Sequence, residues 1–306
     1  MDVLVIFNPS ASRVDARAES AVLGALKGHC AIEAARTDHP FHAAELAAEG
    51  AAAGARLVVA VGGDGTANEA ANGLVGTQTP LWCLPGGSTN VFARTLGAPA
   101  RLDAAAARLA ERIADPDIAP MTTGMVGDRH FLFMSGIGVT AEMMRRVAAR
   151  PTLRAKLGAG YVAVGAAVAL TEAGRGRLPR LVVEADGHSA EAATVIIQRS
   201  DPLTFFGSRP VSVCPPGNLG DGTLSVAFAD RAAPRDVAAI FMRLLSGDAN
   251  RVTDHPRVTA YEQLPSLRVH SPDGRSFGIE VDGTYVGDAT EARYAVAPNS
   301  LLIARA

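Results

Sequence analysis

Apolar residues follow two rhythms along this chain, and the rhythm changes once. Over the first 120 residues, short uninterrupted aliphatic runs alternate with longer segments whose apolar positions recur at helical spacing. The runs predict strands over 3–7, 31–35, 57–61 and 81–84, and the segments predict helices over about 16–27, 41–50, 67–74 and 89–96. A run such as Leu-Val-Val-Ala-Val at 57–61 has no polar break, as expected of a strand covered on both faces in a parallel sheet. The alternation therefore predicts a doubly wound α/β domain over 1–120. The alanine-rich stretch HAAELAAEGAAAG fits the same scheme, because alanine is the strongest helix former.

After Asp115 the pattern shifts to short strand-like runs separated by Gly, Asp and Pro, beginning with Pro116 and Pro120. The runs include MTTGMV, RHFLFMSG, RLVVEADG, ATVIIQRS, TLSVAFAD, SLRVHSPD, FGIEVDGTYVG and SLLIARA. This spacing predicts an antiparallel β-sandwich domain over 121–306, interrupted by helices near 140–169 and 235–245, with a last strand that returns toward the first domain. A length of 306 residues also favours two cores over one.

Composition excludes more than it identifies. Apolar residues make up 48% and charged residues 20%, which is ordinary for a globular protein. A formal net charge of −2 gives no global basic excess to neutralise a phosphate backbone, so a nucleic-acid partner is not expected. Cys30, Cys83 and Cys214 are odd in number and far apart, which fits reduced thiols in a cytoplasm, and no Cys/His spacing suggests structural zinc. MDVLVIFNPS reads as a first strand and not a signal peptide. The longest apolar stretch, 161–170, is too short to span a bilayer, so any membrane contact is expected to be peripheral.

Candidate chemistry gathers at strand ends. After the third run, Gly62, Gly63 and Gly65 permit a turn that side chains would block, and the helix that follows points its first N–H groups and positive dipole end at the same place. An anion is expected there, although such a turn can also serve only to reverse the chain. Asp64 would repel a bare phosphate, so it is read as positioning a metal ion, its water or a reacting hydroxyl. Polar turns after the first run (Asn8, Pro9, Ser10, Ser12) and the fourth (Pro85 to Asn90) point to the same crevice of an open sheet. Ser88 or Thr89 is able to cap the next helix, and Asn68 and Asn90 are expected one turn into theirs. GxxxxGK[ST], GxGxxG and GxSxG patterns are all absent.

These segments together, FNPSAS, VGGDGTANEAANGL, LPGGSTNVFARTLG, NLGDGTLSV and VDGTYVG, resemble the bacterial diacylglycerol kinase and sphingosine kinase-like lipid kinases nearly end to end. GGDGT alone is shared with NAD kinases and, more loosely, with phosphofructokinases; its combination with PGGSTN and the late DGxL and DG turns is far more specific. The resemblance implies an ATP-binding α/β domain, a β-sandwich carrying the lipid site, and reaction in the cleft between them. It also implies roles in lipid metabolism and phospholipid biosynthesis. Nucleotide contacts would be Asn8, Ser10, Thr37, Gly62, Gly63, Asp64, Gly65, Thr66, Ala67, Asn68, Ser88 and Asn90. Magnesium would be held by Asp221, with oxygens from Asn218 and Thr223. A plain Asp-Gly turn is the alternative for Asp221.

The family closes its catalytic loop with Asp-Gly-Glu, whereas this chain has Asp282-Gly283-Thr284. Thr284 occupies the catalytic position but cannot accept the proton of a lipid hydroxyl, which leaves Asp282 as the candidate base, with Glu280 and Asp288 nearby. Val91 and Ser225 also stand where many relatives carry aspartate. Between Arg145 and Arg180 the chain has eight basic residues and one acidic one around an apolar stretch, which suits either docking on anionic lipid or a buried helix with solvated ends. Expectation thus settles on an ATP- and magnesium-dependent kinase of a lipid hydroxyl, diacylglycerol or a related lipid, cytoplasmic and peripherally membrane-associated. The alternatives are a kinase of a soluble hydroxyl compound and a homologue that binds without chemistry. A homodimer is compatible with the sequence, which carries no signal for or against it.

Overall fold

The computed structural model describes residues 2–149, 168–169, 171–172, 176, 178–214, 222–231, 233, 236, 239–240, 242–243 and 249–305. The chain divides into two compact units, Met1–Thr123 with Pro298–Ala306, and Gly124–Ala297.

In the first unit β1 (Val3–Phe7) leads through α1 (Ala16–Leu26), β2 (Ile32–Arg36), α2 (His42–Ala52), β3 (Leu57–Gly62), α3 (Asp64–Leu74), β4 (Leu81–Pro85) and α4 (Val91–Thr95) to α5 (Leu102–Arg112). The four strands are parallel in the order β2-β1-β3-β4. β1, β3 and β4 are buried along their whole lengths, which is what their unbroken aliphatic runs require, while β2 lies at the edge with Glu33 exposed. Asp15 opens α1 by accepting the Ala18 N–H at 2.7 Å, a side-chain cap. On one face Val5, Val59 and Leu84 share a core with Val22 and Leu26 of α1 and Leu109 of α5. On the other, Gly50 of α2 sits so close to Leu4 that a Cβ there would come within 2.5 Å of its Cδ2. The sequence does not predict α5, whose buried face is mostly alanine (Ala105, Ala106, Leu109) and offers little hydrophobic contrast.

The chain continues through β5 (Asp117–Val126), β6 (Arg129–Phe131), β7 (Met134–Ile137) and α6 (Val139–Ala148). Then come β8 (Leu181–Ala185), β9 (His188–Ala192), β10 (Thr194–Gln198), β11 (Thr204–Phe206), β12 (Arg209–Val211) and β13 (Leu224–Ala229). β14 (Val258–Leu264), β15 (Ser266–His270), β16 (Phe277–Val281), β17 (Thr284–Ala289) and β18 (Glu291–Arg305) complete the order, and the end of β18 lies parallel to β4 with Ile303 opposite Leu81. In the second unit one antiparallel sheet has the order β14-β13-β10-β7-β16-β17, and the other runs β18-β15-β8-β9. Ile137, Val195, Val226 and Ile279 from the first sheet share one core with Leu181, Val183, Leu267 and Val269 from the second. Two sheets burying one common layer make this unit a β-sandwich.

The fold is thus an α/β domain with a parallel sheet and an antiparallel sandwich domain. Most of the helix predicted over 140–169 after α6, and of that over 235–245, lies outside the described residues. Among the described residues no helix is long and apolar enough to cross a membrane.

Candidate active site

Strand order reverses between β1 and β3, so the loops leaving these two strands open at a switch point of the parallel sheet. The structure ties them together there. Asn8 donates its Nδ2 to Thr66 Oγ1 at 2.8 Å, its backbone N–H donates to Val61 O at 3.0 Å, and its Oδ1 accepts the Ser10 N–H at 2.9 Å. Asn8 therefore shapes its own loop and holds the first turn of α3. Ser10 is exposed beside it, and the Thr37 N–H donates to Phe7 O at 2.9 Å, setting the exit of β2 next to β1.

The glycines do what their lack of side chains permits. The Gly86 N–H donates to Gly62 O at 2.8 Å, and the two glycine loops lie backbone on backbone. A Cβ on Gly87 would come within 2.6 Å of Gly63 Cα, and one on Gly86 within 2.9 Å of Gly62 Cα. A Cβ on Gly62 would run into the side chain of Thr66. No side chain caps α3, whose N-cap is Gly63, so the N–H groups at Asp64, Gly65 and Thr66 lie at the positive end of an eleven-residue helix. That is an anion-binding geometry.

Asp64 sits on this turn, yet its carboxylate reaches to the next loop. Oδ1 accepts the Phe92 N–H at 2.9 Å, at the start of α4. Burial pushes its carboxyl above the usual carboxylate range, opposed by backbone N–H groups of Phe92 and Val91 and by the charge of Arg94. Asn90 departs from the expected position within the helix. It precedes α4 with φ 52°, and its side chain closes its own turn, accepting the Gly87 N–H at 2.7 Å and donating to Gly87 O at 2.8 Å. Capping by Ser88 or Thr89 is likewise replaced, because Asp64 supplies the acceptor. Ser88 is exposed, and Ala67 and Asn68 are buried, the latter accepting from Asn72 Nδ2 at 3.2 Å.

In the second unit Asp282 lies just past β16, 1% exposed, with φ 47°. Its Oδ2 accepts the Leu132 N–H at 2.7 Å, and its Oδ1 accepts those of Phe133 at 3.0 Å and Met134 at 3.1 Å. Its own N–H returns to Met134 O at 2.9 Å. Sequence reading did not identify these three partners, which lie about 150 positions away in the chain and contribute only backbone. Thr284 opens β17 and is half-buried. Glu280 is buried; Ser135 Oγ donates to its carbonyl at 2.6 Å and lies 3.0 Å from Tyr294 OH. Burial pushes the Glu280 carboxyl up to about 7, with the Asp282 charge adding to the effect and the Thr140 hydroxyl opposing it. Asn218 and Asp221 lie outside the described residues, and Thr223 is half-buried just before β13. Of the basic residues in 145–180, Arg145 and Arg146 both pair with the buried Glu142, and Arg146 also pairs with Glu172.

The family profile described as "Diacylglycerol kinase catalytic domain" matches residues 2–125, which hold Asn8 and both glycine loops. Over these residues the chain resembles the diacylglycerol kinase catalytic-domain family. It is 29% identical over 262 residues to a Pseudomonas putida protein named "Probable lipid kinase YegS-like", covering 85% of this chain and 80% of that one. A protein of Bacillus subtilis named diacylglycerol kinase is 38% identical over 89 residues, 28% of each chain. In fold, a crystal structure titled as a diacylglycerol kinase from Bacillus anthracis superposes with a TM-score of 0.71 at 20% identity, over 100% of this chain and 97% of that one. These likenesses are all to kinases.

Proposed function

We propose that this protein transfers the γ-phosphoryl group of ATP to the hydroxyl of a membrane lipid, diacylglycerol or a close relative. The observation that carries the reading is the pair of stacked glycine loops, joined by the Gly86 N–H to Gly62 O and backed by the open N-terminus of α3, which Asn8 holds through Thr66 across the sheet's switch point. Backbone N–H groups held rigidly in this way suit a polyphosphate, and a loose phosphoryl-transfer transition state is served chiefly by positioning and charge. In the reaction the lipid oxygen forms a bond to γ-phosphorus, the bridging bond to the β-phosphate breaks, and ADP leaves as the hydroxyl proton passes to a base.

The residues present fit magnesium. Asp64 is a carboxylate on the first glycine loop held by the start of α4, and burial disfavours its charge, a cost that a neighbouring dication would offset. In this proposal Asp64 holds the ion beside the nucleotide while Asp221, Asn218 and Thr223 hold one in the second unit. Bound magnesium would supply charge neutralisation for the phosphates. Asp282 is the proposed proton acceptor. Its Oδ2 accepts the Leu132 N–H whereas Oδ1 accepts two, so Oδ2 is the oxygen proposed to take the proton. The basic residues among 145–180 are proposed to face anionic lipid at the membrane surface.

One observation favours a second reading, a homologue that binds nucleotide and lipid without turnover: the buried Asp282 carboxylate is held by three backbone N–H groups, and Thr284 offers no replacement. Labelled ATP presented with diacylglycerol, sphingosine, ceramide and NAD separates the cases. Lipid phosphorylation dependent on magnesium supports the proposal, transfer to NAD alone would move it to a soluble acceptor, and nucleotide binding without transfer selects the second reading.

A further inference from the structure

Among the described residues one group of side chains has the make-up of a metal site that the kinase reaction does not use. It lies where β2 hands over to α2, on the sheet edge that also carries the glycine loops, in the sequence Asp38-His39-Pro40-Phe41-His42-Ala43-Ala44-Glu45. Ligand atoms of Asp38, His39 and His42 all lie within 4.8 Å of one another. Asp38 Oδ1 is 2.7 Å from His42 Nδ1 and 3.4 Å from His39 Nε2, and Glu45 Oε2 is 3.5 Å from the same His39 nitrogen. Ligands about 2.0–2.1 Å from a tetrahedral ion stand roughly 3.3 Å apart, which the two distances to His39 match, whereas the 2.7 Å Asp38–His42 pair is at hydrogen-bond distance and must open to admit an ion.

A second observation concerns the tautomer. His39 Nδ1 lies 3.0 Å from Pro40 O, a carbonyl that only accepts, so Nδ1 carries the proton. In the neutral ring Nε2 is then a bare lone pair, and it faces two carboxylates. Lone pair against carboxylate is repulsive unless a cation sits between them, either a proton on the ring or a metal ion. An imidazole whose remote N–H is held by a backbone carbonyl is the usual arrangement behind a metal-bound histidine. His39 also stacks on His42 at 4.3 Å with the rings 10° apart, so one ring must turn before both nitrogens converge on one ion.

We propose that this loop binds a single transition-metal dication, zinc or its cobalt and nickel analogues, through Asp38, His39 and His42, with Glu45 as fourth ligand. Two imidazoles select such ions over magnesium, which prefers oxygen. The site would brace the exit of β2 at Thr37 and the start of α2. None of its ligands is among the proposed nucleotide contacts, and it stands whether or not the chain is an active kinase.

The test uses the untagged full-length protein, stripped with chelator and titrated with zinc alone by calorimetry, then with cobalt while visible absorption is recorded. The expected result is one equivalent bound, unaffected by excess magnesium, with the ligand-field bands of a tetrahedral cobalt site. His39→Ala and His42→Ala should each weaken binding by more than the about 10- to 100-fold that loss of an outer-shell partner causes. His188→Ala, an exposed histidine elsewhere, should leave it unchanged. Absence of zinc binding overturns the proposal, as does undiminished binding in the double variant His39→Ala/His42→Ala. The His39 side chain is 47% exposed, so circular dichroism of His39→Ala should match the parent.

Discussion

The carboxylate of Asp64 accepts the backbone N–H of Phe92 at 2.9 Å, so the acid of one glycine loop caps the helix that follows the other. Two duties of this residue are therefore separable by chemistry. Asparagine keeps an acceptor for Phe92 but loses the charge, whereas alanine loses both. Asp64→Asn should melt within about 1 kcal/mol of the parent, and Asp64→Ala should lose a further 0.5–2 kcal/mol or so, the usual worth of a cap. Both should lower magnesium-dependent transfer to diacylglycerol by about 100-fold or more, as loss of a charge-stabilising group does. Full turnover by the asparagine variant would remove Asp64 from metal binding and leave it a cap.

Contact between the loops is equally testable. Gly87→Ala places a Cβ 2.6 Å from Gly63 Cα, closer than atoms approach, so the loops must part. ATP affinity measured by calorimetry should fall about tenfold or more, consistent with an overpacking strain of about 1–3 kcal/mol. Gly24→Ala serves as the contrast. Nothing lies within 4 Å of its Cβ position inside α1, and there the variant should gain about 1 kcal/mol of stability from helix propensity alone. An unchanged ATP affinity in Gly87→Ala would mean that the stacked loops do not set the phosphate site.

What the sequence reveals follows from how local each signal is. Unbroken aliphatic runs at Leu57–Gly62 and Leu81–Pro85 and the glycine turns after them announce buried parallel strands and close backbone approach, because both depend on residues a few positions apart. β9 and β14 escape prediction because their exposed positions dilute the alternation, and α5 escapes because alanine carries no contrast. The same limit governs the site. Asp64 is conspicuous in sequence, but its partner Phe92 contributes a backbone N–H that no side chain advertises. Asp282 is likewise legible as an acidic turn residue, while its three partners at 132–134 are invisible until β7 and β16 pair.

That arrangement of Asp282 makes a specific demand on folding. Asp282→Ala strips the N–H groups of Leu132, Phe133 and Met134 of their acceptor in a buried place, and each orphaned donor costs about 1–3 kcal/mol. A loss of about 3 kcal/mol or more is expected in chemical denaturation. Asp282→Asn should lose less, since its amide oxygen replaces one of the two acceptors. If Asp282 also takes the lipid proton, turnover per folded molecule of the asparagine variant should fall about 100-fold or more, a general-base contribution. Retained turnover with lowered stability would assign Asp282 to holding 132–134 alone.

Glu280 gives the protein a pH signature of its own. Its carboxyl rises from 4.5 to about 7, burial being the main cause, so between those values the folded chain keeps a proton that the unfolded chain releases. Stability contributed by this group is therefore full below pH 4.5, falls as pH rises through the window, and levels off above about 7. The accumulated cost at neutral pH is about 3 kcal/mol at 1.36 kcal/mol per pKa unit. Glu280→Gln keeps the shape and removes the titration, so the difference in unfolding free energy between variant and parent isolates this residue from carboxylates that arginine holds low, such as Asp103 beside Arg101 and Glu291 beside Arg268. That difference should grow in the variant's favour from pH 5 to pH 7.5 and then stay constant. A difference that does not vary with pH would mean that Glu280 is ionised in the folded protein throughout, and that its buried charge has a partner compensating it.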